Sequence, residues 1–303
     1  MNPKQYIIVG LGEVLWDMLP GGKQLGGAPA NFAYAATQLG NRGIVASRVG
    51  ADTLGEEAFQ HLEQSGLMTS WVQIDATHPT GEVRVDIDER GQPDYTITED
   101  VAWDFLEWTP QWEELAAQAD AICFGSLAQR SRESRKTIKR FLQTSRRDAL
   151  RIFDVNLRQS FYSEDVISES LNFSDVVKLN DAELPVIAEM LKFDSRSERA
   201  HAHRLIQVYD LKLVCVTRGA RGSLLVTEND VDEHPGLQIT VADAVGAGDA
   251  FTAALAHHYL RGASLAKINE AANRLGSWIA SQVGATPPLD ENVLKQVLTG
   301  KEL

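Results

Sequence analysis

Late in the sequence, Asp243-Ala244-Val245-Gly246-Ala247-Gly248-Asp249-Ala250-Phe251 sets glycines and small residues directly ahead of a stretch with helical apolar spacing. The first turn of a helix leaves backbone N–H groups without partners at the positive end of the helix dipole. Gly246, Ala247 and Gly248 therefore read as a cradle for an anion, and phosphate suits it. Asp249 follows in that first turn. A carboxylate beside a bound phosphate repels it, unless its task is to take a proton from an attacking hydroxyl. The plainer alternative is an acidic residue that suits a helix N-terminus.

Gly26-Gly27-Ala28-Pro29-Ala30-Asn31 repeats this design near the N-terminus. Pro29 suits the first position of a helix, and the glycines let backbone approach a ligand closely. The Asn31 amide both donates and accepts, which suits sugar hydroxyls. Asp17, on the segment before it, can accept from a hydroxyl pair, although a helix cap and a surface carboxylate explain the same residues. Two common nucleotide signatures fail. Gly10-Leu11-Gly12 follows a strand, but Leu15 stands where GxGxxG needs its last glycine, and no GxxxxGK[ST] occurs.

The elements that must position these residues alternate in type. Short apolar runs at 6–9, 41–49, 119–124, 151–155, 176–179 and 211–217 read as buried strands. Between and after them, 29–39, 54–64, 132–145, 181–191, 196–208, 248–260 and 264–283 carry helical spacing. This order predicts an α/β fold with a mainly parallel sheet covered on both faces. Residues 81–98 break the rhythm by alternating apolar and polar residues around a turn at 89–92, and 13–20 alternate as well. Both patterns belong to a small β-element with one wet face, expected to act as a lid or an oligomer contact on a single domain spanning 1–303.

Composition removes other classes. The chain has 303 residues with 42 acidic and 29 basic side chains, a net charge of −13. A broad basic face for nucleic acid or an affinity for anionic lipid is excluded, so small molecules are the expected partners. Cys123 and Cys215 sit inside apolar runs, without a CxxC, and read as core thiols. No run approaches transmembrane length and no apolar leader opens the chain, so a cytoplasmic location is expected. The adjacent His257 and His258 point apart on a helix and make a poor metal pair.

The motifs Gly12-Glu13-Val14-Leu15-Trp16-Asp17, the glycine pair through Asn31, Gly50-Ala51-Asp52-Thr53-Leu54-Gly55 and the turn through Phe251 together resemble the ribokinase or PfkB family of carbohydrate kinases. They follow the family's order across residues 12–285, and the N-terminal wording is most similar to bacterial fructokinases. The resemblance implies a three-layer ribokinase-like fold with a small β-sheet lid. It implies ATP-dependent phosphorylation of a sugar hydroxyl, with Mg²⁺ and possible use of K⁺.

Residue by residue, the resemblance implies that Asp249 is the catalytic base and that Gly246, Ala247 and Gly248 form the anion hole. Asp17, Gly26, Gly27 and Asn31 match sugar-binding positions, and Arg158, in Asp154-Val155-Asn156-Leu157-Arg158, lies near substrate and phosphates. Asn180-Asp181-Ala182-Glu183 matches the NxxE motif, with Glu183 acting on Mg²⁺ through water; a plain helix cap is the alternative for Asn180. Thr217, Arg218, Gly219 and Gly222 match a nucleotide-contacting turn in which Arg218 supplies a cation. Asn273 matches the adenine side. Asp243 and the Gly284-Ala285 turn match a monovalent cation site, although Ala244 stands where the family usually has Thr. Fructose is the first expected substrate. Kinases of 2-keto-3-deoxygluconate are the second comparison; they usually place a Tyr-Arg pair on the strand that here reads Tyr95-Thr96-Ile97-Thr98, leaving Arg84 as a substitute. A non-catalytic sugar-binding regulator is the alternative of another class. A homodimer through the lid is also expected.

Overall fold

The computed structural model describes residues 4–19, 21–87, 93–194 and 197–299. Its first seven strands are β1 (Ile7–Leu11), β2 (Leu15–Leu19), β3 (Gly22–Gly26), β4 (Arg42–Gly50), β5 (Val72–Asp75), β6 (Gly81–Ile87) and β7 (Pro93–Ile97). They are followed by β8 (Ala121–Gly125), β9 (Leu150–Asp154), β10 (Val176–Asn180), β11 (Leu213–Thr217), β12 (Ser223–Val226) and β13 (Val231–His234). The helices are α1 (Ala28–Gln38), α2 (Thr53–Gln64), α3 (Pro110–Gln118), α4 (Arg132–Thr144), α5 (Glu164–Asn172), α6 (Glu183–Met190), α7 (Glu198–Tyr209), α8 (Ala247–Tyr259), α9 (Leu265–Ala280) and α10 (Glu291–Thr299).

Among the described residues the large sheet has nine strands in the order β13-β12-β11-β10-β9-β8-β1-β4-β5. All neighbours pair in parallel except β12 with β11 and with β13. The near-continuous apolar runs of β1, β8 and β10 follow from burial on both faces. One face carries Trp112, Phe124, Phe141 and Phe153, and the other packs Phe32 with the alanine-rich α8 and α9. Gly10 lets α1 lie directly on β1, because a Cβ there would collide with the Pro29 carbonyl.

The second sheet has the order β3-β2-β6-β7 and forms the lid. β2 runs parallel to β6, while β3 and β7 pair antiparallel at the two edges. The expected hairpin is thus present as β6 and β7, with Val83 opposite Ile97; its turn at 89–92 lies outside the described residues. The strand β3 is an addition, since Gly-Lys-Gln-Leu-Gly shows no clean alternation and owes its extended form to pairing with β2. The lid seats on Trp103, which is fully buried against Gly81 and carries the Arg130 guanidinium 4.0 Å above its ring.

Going outward from β1, the chain fills one side of the sheet through β4 and β5 and the other through β8, β9, β10 and β11. The order reverses between β1 and β8, and such a switch point opens a crevice at the carboxyl ends of the strands.

Candidate active site

A cleft of about 430 Å³ opens at that point, lined by Glu13 after β1, Leu127 after β8, and Asn156 and Arg158 after β9. The lid adds Leu15, Asp17 and Val83, and the loop into α8 adds Asp243 through Gly246, with Gly248 and Asp249 beyond it. The structure therefore brings together Asp17, Gly26, Gly27, Asn31, Arg158, Asp243, Gly246, Gly248 and Asp249 of the expected site.

The helices α1 and α8 point their N-termini into this cleft. Gly246 precedes α8 with φ +78, and no side chain caps the helix. An alanine at 246 would be strained by that φ and would press on Ala285 at 2.7 Å. The first helical hydrogen bond runs from the Ala250 N–H to the Gly246 carbonyl, so the Gly248 and Asp249 N–H groups precede it and face a ligand. The Ala247 N–H, also expected in the anion hole, lies 3.3 Å from the Ala244 carbonyl.

Asp249 stands at the floor, where its Oδ2 accepts a 2.8 Å hydrogen bond from Asn31 Nδ2. Burial first, then the Asp154 carboxylate, push the Asp249 carboxyl up to about 6 against the pull of Asn31, Lys178 and Arg158. Asn31 is 6% exposed and gives one amide N–H to this carboxylate. Its Oδ1 and second N–H remain for a ligand in the cleft it lines. Asp17 is also held above the usual carboxylate range, by burial first and by Asp243 against Arg158. Gly26 leaves it room, since a Cβ there would come within 2.6 Å of Asp17 Oδ2 and displace that carboxylate.

Two residues that sequence reasoning assigned no role lie at the centre. Lys178 is buried and donates to Asp154 Oδ1 at 3.0 Å, while Thr252 donates to Asp154 Oδ2 at 3.1 Å. Burial opposes its charge, but Asp154, Glu183 and Asp249 outweigh that and hold the ammonium above its ordinary value. A Cβ at Gly248 would lie 3.0 Å from Lys178 Nζ, so the cation underlies the glycine turn. A lysine inside an otherwise apolar strand is a signal that could have found it. The second residue, Glu13, is 3% exposed. Burial pushes its carboxyl up to about 7 against the pull of its own N–H and that of Ala28.

Other expected site residues have partners within the protein. Glu183 accepts from the Leu157 N–H through Oε1 and from the Asn180 N–H through Oε2, both at 2.8 Å. Asn180 Oδ1 in turn accepts from the Ala182 and Glu183 N–H groups. The motif is a reciprocal helix cap, and its carboxylate is already engaged. Among the described residues no three acidic, histidine or cysteine side chains stand close enough to hold a metal ion by themselves; a Mg²⁺ that arrives with nucleotide phosphates and keeps its waters needs only one or two carboxylates. Asp243 accepts one hydrogen bond on each oxygen, from the Val245 and Gly284 N–H groups, which fixes the carboxylate against the turn before Ala285. Arg218 is paired with Glu198 at 2.7 Å and with Glu233, because α7 and β13 flank it with carboxylates. Thr217, Gly219 and Gly222 form the turn between β11 and β12 beside Asp181, outside the cleft. Asn273 is 5% exposed and donates to Ser223 Oγ and the Asn269 carbonyl, in the seam between α9 and β12. His257 and His258 are buried and bonded to Asn41 and to the Val297 carbonyl.

The chain is similar to known proteins in sequence and fold. The sequence profile of the pfkB family carbohydrate kinases matches residues 15–292. A fructokinase of Salmonella typhimurium is 30% identical over 84% of this chain and 84% of its own length. A fructokinase of Escherichia coli is 29% identical over 81% of each. The crystal structure of an uncharacterized sugar kinase from Pyrococcus horikoshii superposes with a TM-score of 0.81 at 26% identity, covering 97% of this chain and all of that one. The fold of a Vibrio cholerae O395 fructokinase, solved with fructose, ADP and calcium, is equally similar at TM-score 0.81 and 24% identity. With the matched profile spanning nearly the whole chain, this protein belongs to the pfkB family of carbohydrate kinases.

Proposed function

We propose that this kinase transfers the γ-phosphoryl group of ATP to a hydroxyl of a small neutral sugar, fructose first. The observation that carries the reading is Asp249, oriented by Asn31 at 2.8 Å beside an uncapped helix N-terminus. The acceptor hydroxyl forms the new P–O bond, its proton passes to Asp249, and the bond from phosphorus to the departing ADP oxygen breaks. The Gly248 and Asp249 N–H groups and the dipole of α8 stabilise the charge on the transferring group. Lys178 adds a fixed positive charge beneath them.

Neutral substrates are favoured by the charge of the cleft. Glu13, Asp17, Asp243 and Asp249 line it, and Lys178 is already paired with Asp154. Arg158 is the remaining cation of that lining. Arg84, the partner considered for an acidic sugar, is exposed and sits 3.5 Å from Glu82. The relatives called fructokinases support fructose in particular. The reading also takes the chain as one kinase domain acting in the cytoplasm; no helix among the described residues is long and apolar enough to cross a membrane. A dimer through the lid belongs to the same reading, and sedimentation tests it.

The deciding experiment is ADP release from ATP, with Mg²⁺ and K⁺ supplied, across fructose, 2-keto-3-deoxygluconate, ribose, adenosine and fructose 6-phosphate. Release with fructose supports the reading. Release with the keto acid alone overturns the neutral-sugar assignment. Silence on all five, with ATP still bound, moves the protein to a regulatory role.

A further inference from the structure

Glu13 carries a buried carboxylate beside the base at the floor of the cleft. Its Oε2 is buried and has no hydrogen-bond partner among the described residues, yet the side chain lines the cleft with Asp17, Asn31 and Asp249. An unpartnered buried oxygen of this kind costs a folded protein stability, and a site is where such a cost is retained. Its backbone lies close to the start of α1: a Cβ on Gly27, at φ +111, would fall 2.5 Å from the Glu13 carbonyl oxygen. In the kinase reading Asp249 takes the proton of the reacting hydroxyl, and one N–H of Asn31 is given to Asp249. A sugar in the cleft carries further hydroxyls, each a donor.

We propose that Glu13 Oε2 accepts a hydrogen bond from a second substrate hydroxyl, one that is not phosphorylated, and thereby selects polyhydroxy substrates and sets their orientation. This inference rests on the sugar-kinase reading above. The carboxyl lies too far up the usual range for a freely solvated acid, which agrees with an oxygen kept from water until a donor arrives. A sugar lacking that hydroxyl leaves the oxygen unpaired and loses affinity.

The test is steady-state kinetics of the unaltered protein, Glu13→Ala and Glu13→Gln on the best sugar of the panel and on its single-deoxy analogues. The unaltered protein should show one deoxy position, distinct from the phosphorylated one, at which KM rises roughly tenfold to a hundredfold. Both variants should raise KM for the full sugar more than they lower kcat, and should lose that discrimination against the one deoxy analogue. A residue of merely structural importance would weaken all the sugars alike, and that result overturns the proposal, as does full discrimination retained in both variants. Glu13→Gln keeps the side-chain shape and carries the test if Glu13→Ala fails to fold. Absence of any sugar-dependent ADP release from the unaltered protein is a different failure: it overturns the kinase reading, and this inference with it.

Discussion

A carboxylate that must accept a proton in water at neutral pH works best when its own pKa is raised toward that pH. Asp249 meets the condition because its surroundings disfavour its charge, holding it at about 6. Turnover should therefore climb as pH rises through about 6 and level off above it; a profile flat down to pH 5 would remove Asp249 from the proton-transfer step. The same shift carries a stability cost of opposite sense. A folded-state value above the unfolded one of 3.8 means the folded protein binds this proton more tightly, so its stability contribution is present below about 4 and is lost as pH rises through about 6. Asp249→Asn should reduce kcat by about a hundredfold to ten-thousandfold. At pH 8 it should also raise the melting temperature, by an amount worth up to about 3 kcal/mol, reduced because the carboxylate borders the open cleft. Near pH 4 the two proteins should melt alike.

At the scale of elements, the N-terminus of α6 shows how a motif with a functional resemblance can also be mechanical. Glu183 closes a reciprocal cap with Asn180 and holds the Leu157 N–H, so it ties the start of the helix to the loop that presents Arg158. Glu183→Ala would leave two backbone donors without partners. It should cost about 2–4 kcal/mol in chemical denaturation and raise KM for the sugar through the displaced loop. Unchanged stability would show that water replaces the carboxylate there. Elements of strong periodicity were legible: α1, α2, α4 and α9 lie within a few residues of their expected bounds. The short strands β3, β5, β12 and β13 were not, because four or five residues carry too little pattern and owe their extended form to a neighbour. The helices α3 and α5 do begin at readable caps, Thr109 with Pro110 and Ser163.

For the molecule as a whole, the site exists only where two bodies of structure meet: the carboxyl ends of a parallel sheet and a separate four-stranded lid. The lid strand β6 bears through Gly81 on Trp103, in the short helical turn 102–105 that follows β7, a contact without room for a side chain. Gly81→Ala forces that seat apart. It should cost about 1–3 kcal/mol of stability, raise KM for the sugar, and increase the share of ATP hydrolysed without sugar, because a displaced lid admits water. Measuring ADP release with and without sugar checks this, and an unchanged ratio would separate the lid from water exclusion.

The sequence by itself determined the alternation of strand and helix, the parallel sheet, the two glycine-led helix starts and the acid that follows one of them. Each of these is a local matter of periodicity, capping and backbone freedom. Tertiary structure alone decided what the polar side chains do, because their partners are distant in the chain: Asn31 reaches Asp249 across 218 positions, and Lys178 reaches Asp154 across 24. Resemblance placed Glu183, Arg218 and Asn273 on the nucleotide, whereas the fold engages each of them within the protein. The use of a hydrogen-bonding group is set by which groups the fold brings within about 3 Å of it, and no local pattern contains that distance.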